Sequence, residues 1–410
     1  MFRFRKYQWE IIHKAGEIVS NYGFIYLAME VRTGKTLTSL GLAAHLGCKE
    51  VLFVTKKKAI GSIKSDYQIL EPSFNLEVIN YESLHKIEGS YYDMIIVDEA
   101  HTLGAFPKPS KRAKDISSLI KKHNPYVCLM SGTPTPESYS QMYHQVYGIP
   151  NNPFQEYTSF YKFAKEYVDV RQRKINSLYV NDYSRGYHTI LDKMKPMTIS
   201  FTQKEAGFSN QITETVLHVE MEPITYAITS KLTRDKVVEG NDNVILGDTP
   251  AKLMQKLHQL YSGTIKFEDG SSMILDFSKA NFIKETFKGK KIGIFYKFRE
   301  EYNALKCVFK DTLCTTLEEF NDTDKHIALQ IVSGREGISL RKAEALVYYN
   351  IDFSATSYWQ SRDRMTTKDR VDSQVYWIFS ERGIEKDIYK AVIKKKDYTV
   401  RHFKRDLLSL

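Results

Sequence analysis

The sequence predicts an α/β protein of two lobes, each built on a parallel sheet, with a helical insertion at the end of the first. Three observations carry this expectation. Apolar runs rich in β-branched residues alternate with longer amphipathic stretches through residues 24–130, the pattern of strand-helix units around a parallel sheet. The alternation resumes near residue 215 and is clear by residue 290. The length, 410 residues, suits two domains at about 100–200 residues each, both large enough to bury a core.

Strands of the first lobe are expected at "FIYLAM", "VLFVT", "LEVIN", "MIIVDEA" and "YVCLMSG", each ending where polar or glycine-bearing residues begin. In an open parallel sheet those ends form the ligand edge, so the chemistry is expected just after each apolar run. Residues 150–205 turn aromatic and basic, as in "PFQEYTSFYKFAKEYVDVRQRK", and read as helical, extending a first lobe that covers 1–205. The second lobe, 206–410, has strands at "KKIGIFYKF", "IALQIVSG" and "ALVYYNID".

Composition narrows the class. At 42% hydrophobic and 26% charged the chain is ordinary for a globular protein, and no apolar run approaches the roughly 18–20 residues of a membrane span. The opening "MFRFRKYQWE" has no apolar core behind its charges, which argues against a signal peptide and for a cytoplasmic protein without a membrane partner. Cys48, Cys128, Cys307 and Cys314 show no metal or disulfide spacing and read mostly as buried small apolar residues. The 59 Lys and Arg against 49 Asp and Glu leave a formal +10, which favours a polyanionic partner.

Two stretches carry chemistry. "AMEVRTGKT" at 28–36 ends as a phosphate-cradling loop does, with Met29 in the slot of the usual first glycine. That glycine permits a tight turn, whereas the anion contacts come from the glycine-lysine end, so Met29 need not remove binding. Arg32, Thr33, Gly34, Lys35 and Thr36 are the expected nucleotide contacts, with Lys35 neutralising phosphates and the Thr36 hydroxyl reaching Mg²⁺. "IIVDEAH" at 95–101 sets Asp98 and Glu99 just after a buried strand. Asp98 is expected to hold the Mg²⁺ that bridges nucleotide phosphates, and Glu99 to orient or deprotonate the attacking water.

The order of these and further motifs resembles helicase superfamily 2, in its Swi/Snf-like branch of remodellers and their compact phage and bacterial relatives. "FRKYQ" at 4–8 resembles the adenine-reading entry motif, which implies that Tyr7 stacks near the base and Gln8 hydrogen-bonds it. "VLFVTKKKAI", "VINYESL" and "SGTPTP" resemble motifs that meet nucleic acid or couple hydrolysis to movement, implying contacts from Lys56, Lys57, Asn80, Tyr81, Ser131 and Thr133. In the second lobe "IVSGREGISL" resembles the glycine-bearing motif, giving Ser333 to the nucleic acid and Gly337 to the nucleotide. "YWQSRDRMT" resembles the arginine motif, with Gln360 and Arg364 matching and Thr367 in the second arginine slot. Arg364 is the first candidate for the arginine finger, with Arg362 and Arg370 as alternates. "GIEKDIYKAVIKKKDY" resembles the branch's C-terminal brace helix.

The resemblance implies two RecA-like lobes with ATP and Mg²⁺ between them. It implies a translocase or helicase gripping duplex, branched or single-stranded DNA through its phosphates, alongside replication, recombination or defence proteins. An RNA-directed helicase, a restriction or defence motor subunit and a catalytically weak scaffold remain open alternatives.

Overall fold

In a computed structural model of the chain, described for residues 3–87, 91–175, 178–207, 211–240, 243–334, 340–362 and 372–394, two compact units divide at residues 208 and 209. No helix among the described residues is long and apolar enough to cross a membrane.

Unit 1 opens with helix α1 (Lys6–Tyr22), then β1 (Phe24–Met29), α2 (Lys35–His45), β2 (Glu50–Thr55), α3 (Ile60–Leu70), β3 (Asn75–Asn80), β4 (Met94–Val97), α4 (Lys111–His123) and β5 (Tyr126–Met130). With β8 (Thr198–Phe201) the strands form one parallel sheet in the order β3-β2-β4-β5-β1-β8. The strands read as unbroken apolar runs because both sheet faces are covered. In β4, Ile95 and Val97 enter one buried cluster, and Met94 and Ile96 enter the opposite one. All four are fully buried, and truncating either isoleucine to alanine would cost about 2–5 kcal/mol.

The stretch 150–205 is helical at Phe160–Tyr167 and Thr189–Met194, but it also holds strands. β6 (Arg171–Ile175) and β7 (Leu178–Asp182) pair as an antiparallel hairpin outside the main sheet. Ile175, Tyr179 and Val180 favour extended backbone and outweigh the helical reading there. β8 is only four residues long, too short for its period to show, yet it completes the sheet beside β1.

Unit 2 builds a second six-stranded parallel sheet from β9 (Gln211–Val219), β14 (Ile292–Tyr296), β15 (Leu313–Cys314), β16 (His326–Gln330), β17 (Ala345–Tyr348) and β18 (Asp372–Ser380), ordered β15-β16-β14-β17-β18-β9. Two small hairpins, β10 (Val237–Glu239) with β11 (Val244–Leu246) and β12 (Thr264–Lys266) with β13 (Ser272–Ile274), lie outside it. Again both faces are buried, with Leu346 and Tyr348 on one side and Ala345 and Val347 on the other. The helix expected near the C-terminus spans Glu385–Ile393 and packs within unit 2, where the Trp359 indole donates to the Val392 carbonyl at 3.1 Å. Cys48, Cys128 and Cys314 are buried, as read from the sequence, and Cys307 is exposed.

Candidate active site

The site begins with strand order. β5 stands between β4 and β1, so the segments leaving these three strands emerge side by side at one edge of the unit 1 sheet. From β1 the chain runs through residues 30–34 into α2, whose first residue is Lys35. Arg32 (φ 63°) and Gly34 (φ 83°) are left-handed, turning the chain so that the N-terminus of α2 faces the sheet edge. Gly34 suits that left-handed conformation, and a Cβ there would stand 2.6 Å from Gln8 Nε2 and displace the Gln8 amide. Met29 is different. It is the last residue of an extended strand and is buried in the core, so its position needs no glycine.

Hydrogen bonds lace this loop. Thr33 Oγ1 donates to the Glu30 carbonyl at 2.7 Å, and the Tyr7 hydroxyl to the Thr33 carbonyl at 3.1 Å. Gln8 Nε2 donates to the Gly34 carbonyl and to Thr38 Oγ1, both at 3.4 Å, while Gln8 Oε1 accepts from the Arg5 N–H at 3.0 Å. The Tyr7 ring stacks on Phe201 with centroids 4.7 Å apart. Beyond β8, the Gln203 N–H donates to the Glu30 carboxylate at 2.7 Å and its amide to the Val31 carbonyl at 3.0 Å. Lys35 Nζ turns into the loop, donating to the Met29 carbonyl at 2.9 Å and the Glu30 carbonyl at 3.1 Å.

At the end of β4, Asp98 Oδ2 accepts from Thr55 Oγ1 at 2.8 Å, and the Asp98 carbonyl accepts from the Tyr81 hydroxyl. Glu99 is left-handed at φ 51°, which costs a non-glycine residue about 1–2 kcal/mol. Such strain persists where the surroundings hold it, and it marks this turn as a candidate for function. His101 Nδ1 lies 3.1 Å from Glu99 Oε2 and 2.9 Å from Ser131 Oγ, and Ser131 Oγ also accepts from the Thr133 N–H at 3.1 Å. The loop after β5 closes on the loop after β1, since a Cβ on Gly132 would meet the Met29 carbonyl at 3.4 Å.

Electrostatics separate the two acids. Burial and then the neighbouring Glu99 charge raise Asp98, outweighing the Thr55 hydroxyl and the Lys35 charge. Burial also pushes Glu99 up, but His101 at 3.1 Å, with the charges of Lys35 and Lys56, holds it below its ordinary range. Lys35 therefore acts on both carboxylates, and Glu99 is the one kept ionised. A divalent cation would fit here because it would offset the burial and the Glu99 charge that raise Asp98. No group of three or more His, Cys, Asp and Glu among the described residues could cage a metal. Mg²⁺ carried by nucleotide phosphates needs only one or two protein oxygens, and Asp98 at the end of β4 and Thr36 in the first turn of α2 are the residues that could supply them.

Other expected contacts fall differently. Lys56 and Lys57 follow β2, and the charge of Lys56 reaches Glu99. Asn80 ends β3 and donates to Glu82 Oε2 at 3.0 Å. Tyr81, expected against nucleic acid, is buried at 2% exposure, so its hydroxyl supports the acidic turn from beneath and meets no outside partner. Ser131 is fully buried and likewise bonds inward to His101, while Thr133 beside it is half-buried. Gln360 lies on the helix Ala355–Arg362 and Ser333 on the short helix Ile331–Gly334. Gly337, Arg364, Thr367 and Arg370 lie outside the described residues. The sequence reading had assigned no role to His101, Thr55 or Gln203. His101 was visible as the last letter of "DEAH", and Thr55 as the polar residue ending a strand.

The SNF2-related domain, as a sequence family, matches residues 49–260, just over half of the chain. No curated protein sequence matches significantly. Among solved structures, the chain resembles the Sulfolobus solfataricus SWI2/SNF2 ATPase core in complex with dsDNA at a TM-score of 0.43 and 14% identity, over 96% of this chain and 91% of that one. It resembles the Sulfolobus solfataricus SWI2/SNF2 ATPase core domain at a TM-score of 0.42 and 14% identity, over 96% and 89% of the two chains.

Proposed function

Because the chain belongs to the SNF2-related domain family, we propose that it hydrolyses ATP and uses the hydrolysis to move along DNA. The observation that carries the hydrolytic part is the strand order, which sets the loop after β1 with Lys35 and the turn after β4 with Asp98 and Glu99 at one edge of the sheet, on either side of β5. In this reading the N-terminus of α2 and Lys35 take the β- and γ-phosphates. Asp98 and Thr36 hold Mg²⁺, which supplies charge neutralisation at the phosphates when bound. Glu99, kept ionised, orients the attacking water and receives its proton. His101, reaching both Glu99 and Ser131, ties the hydrolytic base to the loop after β5.

The DNA part rests on family membership and on the formal +10. Phosphate contacts would supply most of the affinity, so binding should weaken steeply with salt and discriminate little among sequences. Branch migration, unwinding and displacement of bound proteins are the outputs open to such a motor.

The test is ATP hydrolysis without nucleic acid and with single-stranded, duplex and forked DNA and RNA, for wild type and Glu99→Gln. DNA should stimulate the wild type, and the variant should lose at least about 10²-fold, some 2.7 kcal/mol of barrier. Equal wild-type rates in all tubes would sink the proposal, and stronger stimulation by RNA would redirect it to an RNA substrate.

A further inference from the structure

We propose that the β6–β7 hairpin is an arm that stacks on unpaired nucleotides of the DNA, an inference that rests on the function proposed above. The arm is firmly rooted. Tyr187 N–H donates to the Tyr167 carbonyl at 2.8 Å and Asp169 N–H to the Arg185 carbonyl at 3.0 Å, extending the pairing below the two strands. Ser140 Oγ donates to the Tyr183 carbonyl at 2.7 Å, and a Cβ on Gly186 would stand 2.6 Å from the Ser140 N–H. The root therefore packs against the segment that follows the "SGTPTP" loop.

Above that root the hairpin presents side chains that a solvated surface does not favour. Tyr179 is 68% exposed, the most exposed large hydrophobic residue among the described residues, and Tyr161 and Tyr187 at the base are 48% and 47% exposed. A lone two-stranded hairpin is marginal in water, and rings exposed to this extent together mark a surface that meets a partner.

The charges say what would cover the rings. Residues 169–187 carry Arg171, Arg173, Lys174 and Arg185 against Asp169 and Asp182. Asp169 is shared, 2.8 Å from Arg171 Nε and 3.6 Å from Arg185 Nη1, so one carboxylate stands against two guanidinium groups. Strand register also sets Lys174 opposite Tyr179. Exposed aromatic rings on a segment with four cations against two acids match bases on a phosphate backbone, whereas the buried centre of a protein interface is depleted in charge. Duplex bases hide their faces in the stack, so the rings select unpaired strands.

The test is fluorescence anisotropy of labelled single-stranded, forked and duplex DNA with wild type, Tyr179→Ala, Tyr179→Phe and Tyr187→Ala, with ATPase in the absence of DNA as the check of folding. Tyr179→Ala should weaken single-stranded and forked DNA about tenfold, within the range of one base-ring stack, and leave duplex binding within twofold. Tyr179→Phe should bind like wild type, and Tyr187→Ala should share the selective loss. Wild-type-like binding by both alanine variants, or equal loss on duplex, overturns the arm. If wild type binds none of the three DNAs, it is the function proposed above that fails.

Discussion

Arg362 donates from Nη1 to Glu214 Oε1 at 2.7 Å, and its guanidinium lies 4.1 Å above the Trp359 ring. The same carboxylate accepts from the Tyr358 hydroxyl at 2.8 Å and the Trp377 indole at 2.9 Å. Arg362 is thus committed inside unit 2, pinning the helix Ala355–Arg362 to β9 and β18, and it is a poor arginine finger. Arg362→Ala should lower the melting temperature by about 4–8 °C, for roughly 2 kcal/mol of lost charge-assisted bonding. Assayed well below that temperature, it should keep ATP turnover within a few-fold. Arg364→Ala should lose more than about tenfold, or 1.4 kcal/mol of barrier. The opposite ranking of the two variants would return the finger to Arg362.

Gly34→Ala should weaken ATP binding more than about tenfold. The residue is left-handed at φ 83°, and its new methyl group would push the Gln8 amide off the loop. Titration with a fluorescent ATP analogue checks this, and unaltered affinity would show that the Gln8 contact is dispensable.

The acidic pair gives a pH dependence with a definite sign. Asp98 is raised from 3.8 to about 6, so its contribution to stability is present below its unfolded value and lost as pH rises through about 6. Asp98→Asn, which cannot ionise, should therefore melt about 2–4 °C above wild type at pH 8, about 1 kcal/mol, and show no gain near pH 4. Glu99 acts in the opposite sense, its stability being lost only toward pH 2. The same substitution should abolish turnover. In wild type, protons compete with Mg²⁺ for Asp98, so the Mg²⁺ needed for half-maximal ATPase should rise as pH falls below about 6. Calorimetry and Mg²⁺ titrations at pH 5, 6 and 8 test both halves.

Tyr81→Phe distinguishes a prop from a nucleic-acid contact. The ring sits under the Arg112 guanidinium at 5.0 Å, and the lost hydroxyl bond loosens the Asp98 carbonyl. kcat should fall several-fold while the Kd for DNA stays within twofold. A weaker Kd with unchanged kcat would restore the contact role.

Both parallel sheets were legible in the sequence because doubly buried strands read as unbroken apolar runs. "FIYLAM" coincides with β1, and the other expected runs each fall on a strand. In the two main sheets β8, β9, β15 and β18 went unassigned: β8 and β15 are four and two residues long, and β9 and β18 open on polar residues, Gln211 in one and Asp372, Ser373 and Gln374 in the other, which break the apolar run. In the candidate site, the placement of Lys35, Asp98 and Glu99 just beyond strand ends was legible because apolar runs mark where strands stop. Motif order says which residues share an edge but not which way each points, and so Tyr81 and Ser131 were assigned outward. The clasp from Gln203 and the His101 bridge depend on contacts far apart in sequence, which local patterns do not carry.

The phosphate loop's backbone carries a last consequence. Its geometry is an extended residue at Met29, left-handed turns at Arg32 and Gly34, and a helix from Lys35. A signature spelled in amino-acid letters stumbles at the first position, whereas one spelled in dihedral angles reads through it. Homologues that differ freely at position 29 and hold to glycine at position 34 would share one loop under several spellings.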